Sequence, residues 1–76
     1  MIVRERVYKI ISLVFNVPIE NINDESSSDD IETWDSLKHM NMVLALEEEF
    51  NVQFGEEQVL EMLNVGLIIE ILKEIG

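Results

Sequence analysis

A chain of seventy-six residues with no cysteine, and with His39 as its sole histidine, must be held together by apolar packing. No disulfide can form, and one histidine cannot assemble a Cys/His zinc cluster. A chain this short buries a modest share of its surface, so its stability margin is small and a deep catalytic cleft is hard to build. The length fits one domain, residues 1–76, and favours a binding or carrier role before any motif is considered.

The apolar residues recur at helical spacing. Val3, Val7, Ile10, Ile11 and Val14 line one face of a predicted helix from Ile2 to Phe15, with Arg4, Glu5, Lys9 and Ser12 opposite. Asn16-Val17-Pro18 ends it, because proline disfavours helical geometry in the residue before it. A second helix, Ser36 to Phe50, carries two apolar stripes. Met42, Val43, Leu46 and Phe50, with His39 among them, have the width of a core face; Leu37, Met40 and Leu44 make a second stripe that begins beside Ser36, and Glu47 lies between. A short helix is expected from Glu56 to Leu63. Asn64 then caps a last one from Val65 to Ile75, apolar around most of its circumference and therefore expected to be largely buried. The fold class is all-α: a small four-helix bundle, three longer helices and one short, with a long first loop.

That loop, Asn16 to Asp35, keeps no helical period and holds the sole proline, three successive serines and the pair Asp29-Asp30. Loops of this length in small domains are usually functional or disordered. Ile19, Ile22, Ile31 and Trp34 offer apolar anchors, so an ordered loop is expected, with a helical turn near Ile19 to Ile22.

Sixteen acidic residues against five basic ones give a net charge of −11, and three of the five cations (Arg4, Arg6, Lys9) fall in the first nine positions. The remaining surface repels nucleic acid and anionic membranes and steers toward basic protein patches, although acidity also serves plain solubility. The longest apolar-rich stretch, Val65 to Ile75, is far short of the roughly 20 residues that span a bilayer. Met1-Ile2-Val3 leads into charged residues without an apolar leader segment. A soluble, cytoplasmic monomer is expected.

Chemistry can sit where the acidic loop meets the second helix, at Asp35-Ser36-Leu37. Alone, the triplet signals no more than capping, since Ser and Asp are ordinary residues at helix starts. If Asp35 supplies the cap to the N–H of Leu37 or Lys38, however, the Ser36 hydroxyl is left exposed at the first turn. A phosphodiester on that oxygen would lie beside unpaired backbone N–H groups and the positive end of the helix dipole. The chain has no thiol of its own, so a thioester here would need one from a prosthetic group.

Asp35-Ser36-Leu37, followed at fixed spacing by Ala45-Leu46-Glu47-Glu48-Glu49-Phe50, resembles the signature of the acyl carrier proteins. The likeness extends over nearly the whole chain in helix order and is most specific between Asp29 and Phe50. It implies Ser36 as the attachment site of a covalent 4′-phosphopantetheine arm that carries acyl intermediates as thioesters, with Asp35 and Leu37 as neighbours recognised by a phosphopantetheinyl transferase. Partner docking would involve Leu37, Met40, Leu44, Glu47 and Glu48, met by basic patches on acyl-loading and acyl-transferring enzymes. Ordinary core packing for Met40 and Leu44 stands beside that role, and a solvated face is preferred for Glu49.

Two residues depart from the pattern. Lys38 stands where carriers of primary fatty acid synthesis commonly have an acidic or neutral residue, and Trp34 where they usually have a small one. The pair is similar to stand-alone carriers of specialised pathways, such as surface-lipid modification or secondary metabolism. His39 is expected to be packed or hydrogen-bonded rather than a ligand or catalyst.

Other readings exist. An aminoacyl or peptidyl carrier keeps the arm and changes the cargo; an unmodified acidic adaptor abandons it. Calcium at Asp24-Glu25-Ser26-Ser27-Ser28-Asp29-Asp30 would be weak, because the loop lacks the central glycine and terminal glutamate of an EF-hand. With no acid/base pair, nucleophile–base constellation or metal triad, the chain is not expected to be an enzyme.

Overall fold

A computed structural model describes residues 3–75. It contains α1 (Val3–Phe15), a 3₁₀ turn (Ile19–Asn21), α2 (Ser36–Phe50), α3 (Glu56–Glu61) and α4 (Val65–Ile75), and no strand among the described residues. The all-α bundle of three longer helices and one short is thus present. Ile2, expected to open α1, lies outside the described residues.

Both α1 and α2 stop on an asparagine in the left-handed region, Asn16 at φ 56° and Asn51 at φ 54°. This conformation suits asparagine better than most residues, and it lets the following chain fold back on the last turn. The Val17 N–H donates to the Ser12 carbonyl (3.2 Å) while the Ser12 hydroxyl donates to the Val17 carbonyl (2.6 Å). The stop therefore comes at Asn16, two residues ahead of Pro18, and the proline precedes the 3₁₀ turn.

Helix α1 packs on both α2 and α4. Val7, Ile11 and Phe15 meet Met42 and Leu46 of α2 and Val65, Ile68 and Ile69 of α4 in one buried cluster. Ile22, Ile31 and Trp34 of the long loop join that cluster, which is why a segment without helical period is nevertheless ordered. The Trp34 indole stacks on Phe15, ring centroids 4.8 Å apart.

Ile19, expected as an apolar anchor of the loop, is 46% exposed, because the 3₁₀ turn points it outward. Helix α4 is largely buried as expected, through Val65, Ile68, Ile69, Ile71 and Leu72, with Leu67 and Ile75 on its outer side. Helix α3 ends at Glu61 rather than Leu63: the Leu63 N–H turns back to the Glu61 carbonyl (2.8 Å), and Met62 is buried while Leu63 faces solvent.

The first half of the loop is tied down by polar groups. Arg4 pairs with Asp24 through two nitrogens (2.8 and 3.1 Å), and the Tyr8 hydroxyl donates to the same carboxylate (2.6 Å). The Arg4 hydrogen bond, then that of Tyr8, lowers the Asp24 pKa from 3.8 to about 2. The Gly66 and Val65 N–H groups donate to the Asp24 and Ser26 carbonyls (2.7 and 3.0 Å), beside an isolated antiparallel bridge between Ser27 and Asn64. A Cβ at position 66 would sit 3.1 Å from the Asp24 oxygen, so this approach favours glycine. Asn64 caps α4 as expected, accepting from the Leu67 N–H (2.8 Å).

Two of the three N-terminal cations, Arg4 and Arg6, are paired within the fold. Arg6 pairs with Glu49 and lies over the Phe50 ring, 5.0 Å from its centroid. Among the described residues no helix is long and apolar enough to cross a membrane.

Candidate functional site

Helix α2 begins at Ser36 because Asp35, in extended conformation, caps it. The Asp35 carboxylate accepts the Lys38 N–H at 2.8 Å and its carbonyl accepts the His39 N–H at 2.8 Å. Asp35 thus does the capping that Ser36 would otherwise do. Ser36 is exposed, and its hydroxyl makes no hydrogen bond among the described residues. The Ser36 and Leu37 N–H groups are likewise without a partner in the fold. Two free amides and a free hydroxyl at one helix start suit a phosphate linkage.

The two stripes of α2 separate completely. Met42, Val43 and Leu46 are buried. Leu37, Met40 and Leu44 are 71%, 47% and 60% exposed, which removes the core-packing reading of Met40 and Leu44. Leu60 and Leu63 extend this apolar surface across the α3 region.

The acidic run divides in the same way. Glu47 is half-buried and accepts the Phe54 N–H (2.9 Å), so it braces the turn after α2. Glu49 is exposed, as expected for a solvated face, and is also held by Arg6. Glu48 alone of the three is exposed with no bond among the described residues.

A cleft of about 460 Å³ opens beside Ser36. The loop contributes Ser28, Trp34 and Asp35; α2 contributes Ser36, His39 and Met40; Val59, Leu60, Met62 and Leu63 form the far side. Its apolar wall is continuous with the exposed stripe of α2. His39 stands at its back, accepting the Trp34 indole N–H on Nδ1 (3.0 Å) and placing Nε2 3.1 Å from the Val59 carbonyl. The periodicity placed His39 on the inner face but could not pair it. Both partners are distant in kind, an indole five residues upstream and a backbone carbonyl twenty downstream.

The phosphopantetheine attachment site family model matches residues 5–72. The acyl carrier protein of Buchnera aphidicola subsp. Schizaphis graminum (strain Sg) is 38% identical over 63 residues, 82% of this chain and 77% of that protein. The chain belongs to the acyl carrier protein family.

The solution structure of the holo acyl carrier protein from Geobacter metallireducens superposes on this carrier with a TM-score of 0.85, over 97% of this chain and 85% of that one, at 28% identity. The carrier bears covalent phosphopantetheine and transports acyl groups rather than transforming them. Phosphopantetheinyl transferase and acyl-handling enzymes are its partners as a family property.

Proposed function

We propose that Ser36 is the residue that carries the 4′-phosphopantetheine arm, and that residues 1–76 work as a single carrier domain. The observation behind this is the division of labour at the helix start. Asp35 takes the capping role, which leaves the Ser36 hydroxyl exposed and unbonded. The arm supplies the thiol on which acyl groups travel as thioesters. The chain's part is to hold the anchor still, through a helix whose inner stripe is buried, and to direct the unpaired Ser36 and Leu37 amides toward the linking phosphate.

Asp35 and Leu37 flank the anchor and are the neighbours a transferase would meet. Leu37, Met40, Leu44 and Glu48 form the docking surface, with Leu60 and Leu63 beside them. Glu47 contributes charge from the edge while one of its oxygens braces Phe54. Basic groups on the partner would face Glu48. Lys38, half-buried and without an ion pair among the described residues, puts one cation in the first turn. This feature favours dedicated partners of a specialised pathway over the general fatty acid enzymes. A monomer in the cytoplasm completes the reading, because the carrier must meet its transferase and several enzymes briefly.

The deciding experiment is intact mass after co-expression with a broad-specificity phosphopantetheinyl transferase. One phosphopantetheine increment, absent in Ser36→Ala, is expected; an unchanged mass with several competent transferases removes the assignment. Lys38→Glu should quicken loading by general fatty acid enzymes, and an unaltered rate would remove the pathway inference.

A further inference from the structure

Helix α3 is the weakly held wall of the cleft. None of its six residues is fully buried. Among the described residues, one side-chain hydrogen bond joins it to α2, the bond between His39 and the Val59 carbonyl. The chemistry of the ring's other nitrogen makes that bond legible. An indole N–H can only donate, so Nδ1 of His39, 3.0 Å from it, must accept. The neutral ring then carries its proton on Nε2 and donates to Val59 at 3.1 Å. A single imidazole therefore joins the loop, α2 and α3, and the Trp34 end is itself immobilised by stacking on Phe15.

We propose that His39 is a positioning residue of the attachment site: as the neutral ring bridging Trp34 and Val59, it sets α3 against α2 and so shapes the cleft beside Ser36. The bearing on cargo rests on Ser36 as the attachment point; the placement of α3 does not. His39 touches neither the reacting thioester nor a substrate, and acts through α3.

Amide hydrogen exchange on the unmodified chain at neutral pH tests the placement. His39→Phe keeps the ring volume and removes the donor, and its α3 amides should lose about tenfold protection relative to α1 and α2, the scale of one hydrogen bond. His39→Gln can place an amide nitrogen near the position of Nε2, and should keep α3 protected. Should His39→Phe fold poorly, Trp34→Phe asks the same question from the other side: with no indole to hold Nδ1, α3 protection should fall by a smaller step. Wild-type protection of α3 in His39→Phe or Trp34→Phe, or a loss in His39→Gln as large as in His39→Phe, overturns the proposal.

The cargo claim has its own readout. Loading with an octanoyl group through the arm should raise the Tm of the wild type and of His39→Gln above that of their holo forms, and leave His39→Phe without that gain. Equal gains in all three, or none in the wild type, overturn the cargo claim. A chain that takes up no arm at all defeats the Ser36 assignment and leaves the exchange result to stand or fall separately.

Discussion

At Asp24 the long loop is fastened to α1 by an ion pair and a phenol; at Trp34 it is fastened to α1 by stacked rings and to α2 by a neutral hydrogen bond. The first fastening lies in solvent, with the Arg4 and Asp24 side chains 51% and 42% exposed. The second is built on an indole that is 8% exposed. Polar contacts in water are weak and screened, whereas buried rings remove much apolar area from water. The end of the loop that leads into Ser36 is therefore the stronger one. A tethered cargo needs its anchor there.

Cutting the buried end should do the most damage. Trp34→Ala removes the stack on Phe15 and the bond to His39, and should cost about 3–5 kcal/mol in urea unfolding, a large share of the stability of so small a domain. A cost below about 1 kcal/mol would mean that the two ends are equal. A Phe15/Trp34 double-mutant cycle to leucine should isolate about 1 kcal/mol of coupling from the stack itself.

At the exposed end, Asp24→Asn should cost no more than about 1 kcal/mol at neutral pH. It should act mainly on acid stability. The folded-state pKa of Asp24 is depressed to about 2, so its contribution is present above the ordinary carboxylate range and is lost as pH falls from 3.8 toward that value. Unfolding midpoints recorded across this window should slope less in Asp24→Asn than in the wild type. An identical slope would show that other carboxylates dominate.

The smallest effect is that of salt. Raising ionic strength to about 1 M should weaken the exposed Arg4–Asp24 end slightly, narrowing the gap in urea midpoint between the wild type and Asp24→Asn, and leave the cost of Trp34→Ala unchanged. Leu44→Ala, on the exposed stripe, should alter stability by less than about 0.5 kcal/mol while slowing transfer to an acyl-handling partner.

How much of this was legible in the sequence varies with the range of the interaction. Helix α2 was read to its ends, since Asp35 and the apolar period are local signals. Asn16-Val17-Pro18 marks the end of α1 in the sequence, but Asn16 rather than Pro18 makes the turn; left-handed geometry leaves no mark in composition beyond asparagine itself. In the sequence Met40 and Leu44 read equally as core or contact, because an apolar arc wide enough for two stripes does not say whether the bundle covers the second. The sequence sets Glu49 apart as a solvated residue, but it neither separates Glu47 from Glu48 nor shows the Arg6 pair. Their three fates depend on Phe54, on solvent and on Arg6, residues brought near by folding.

The order of residues alone determined an all-helical chain, a capped start at residue 36, an exposed serine beside that cap, and membership of a carrier family, since each of these rests on neighbours within a few turns. Tertiary structure alone decided that the second stripe of α2 is left facing water, what anchors each end of the loop, and that His39 links Trp34 to Val59. Such facts require segments far apart in the chain to meet, and periodicity carries no information about which of several apolar or polar groups will be the one that arrives.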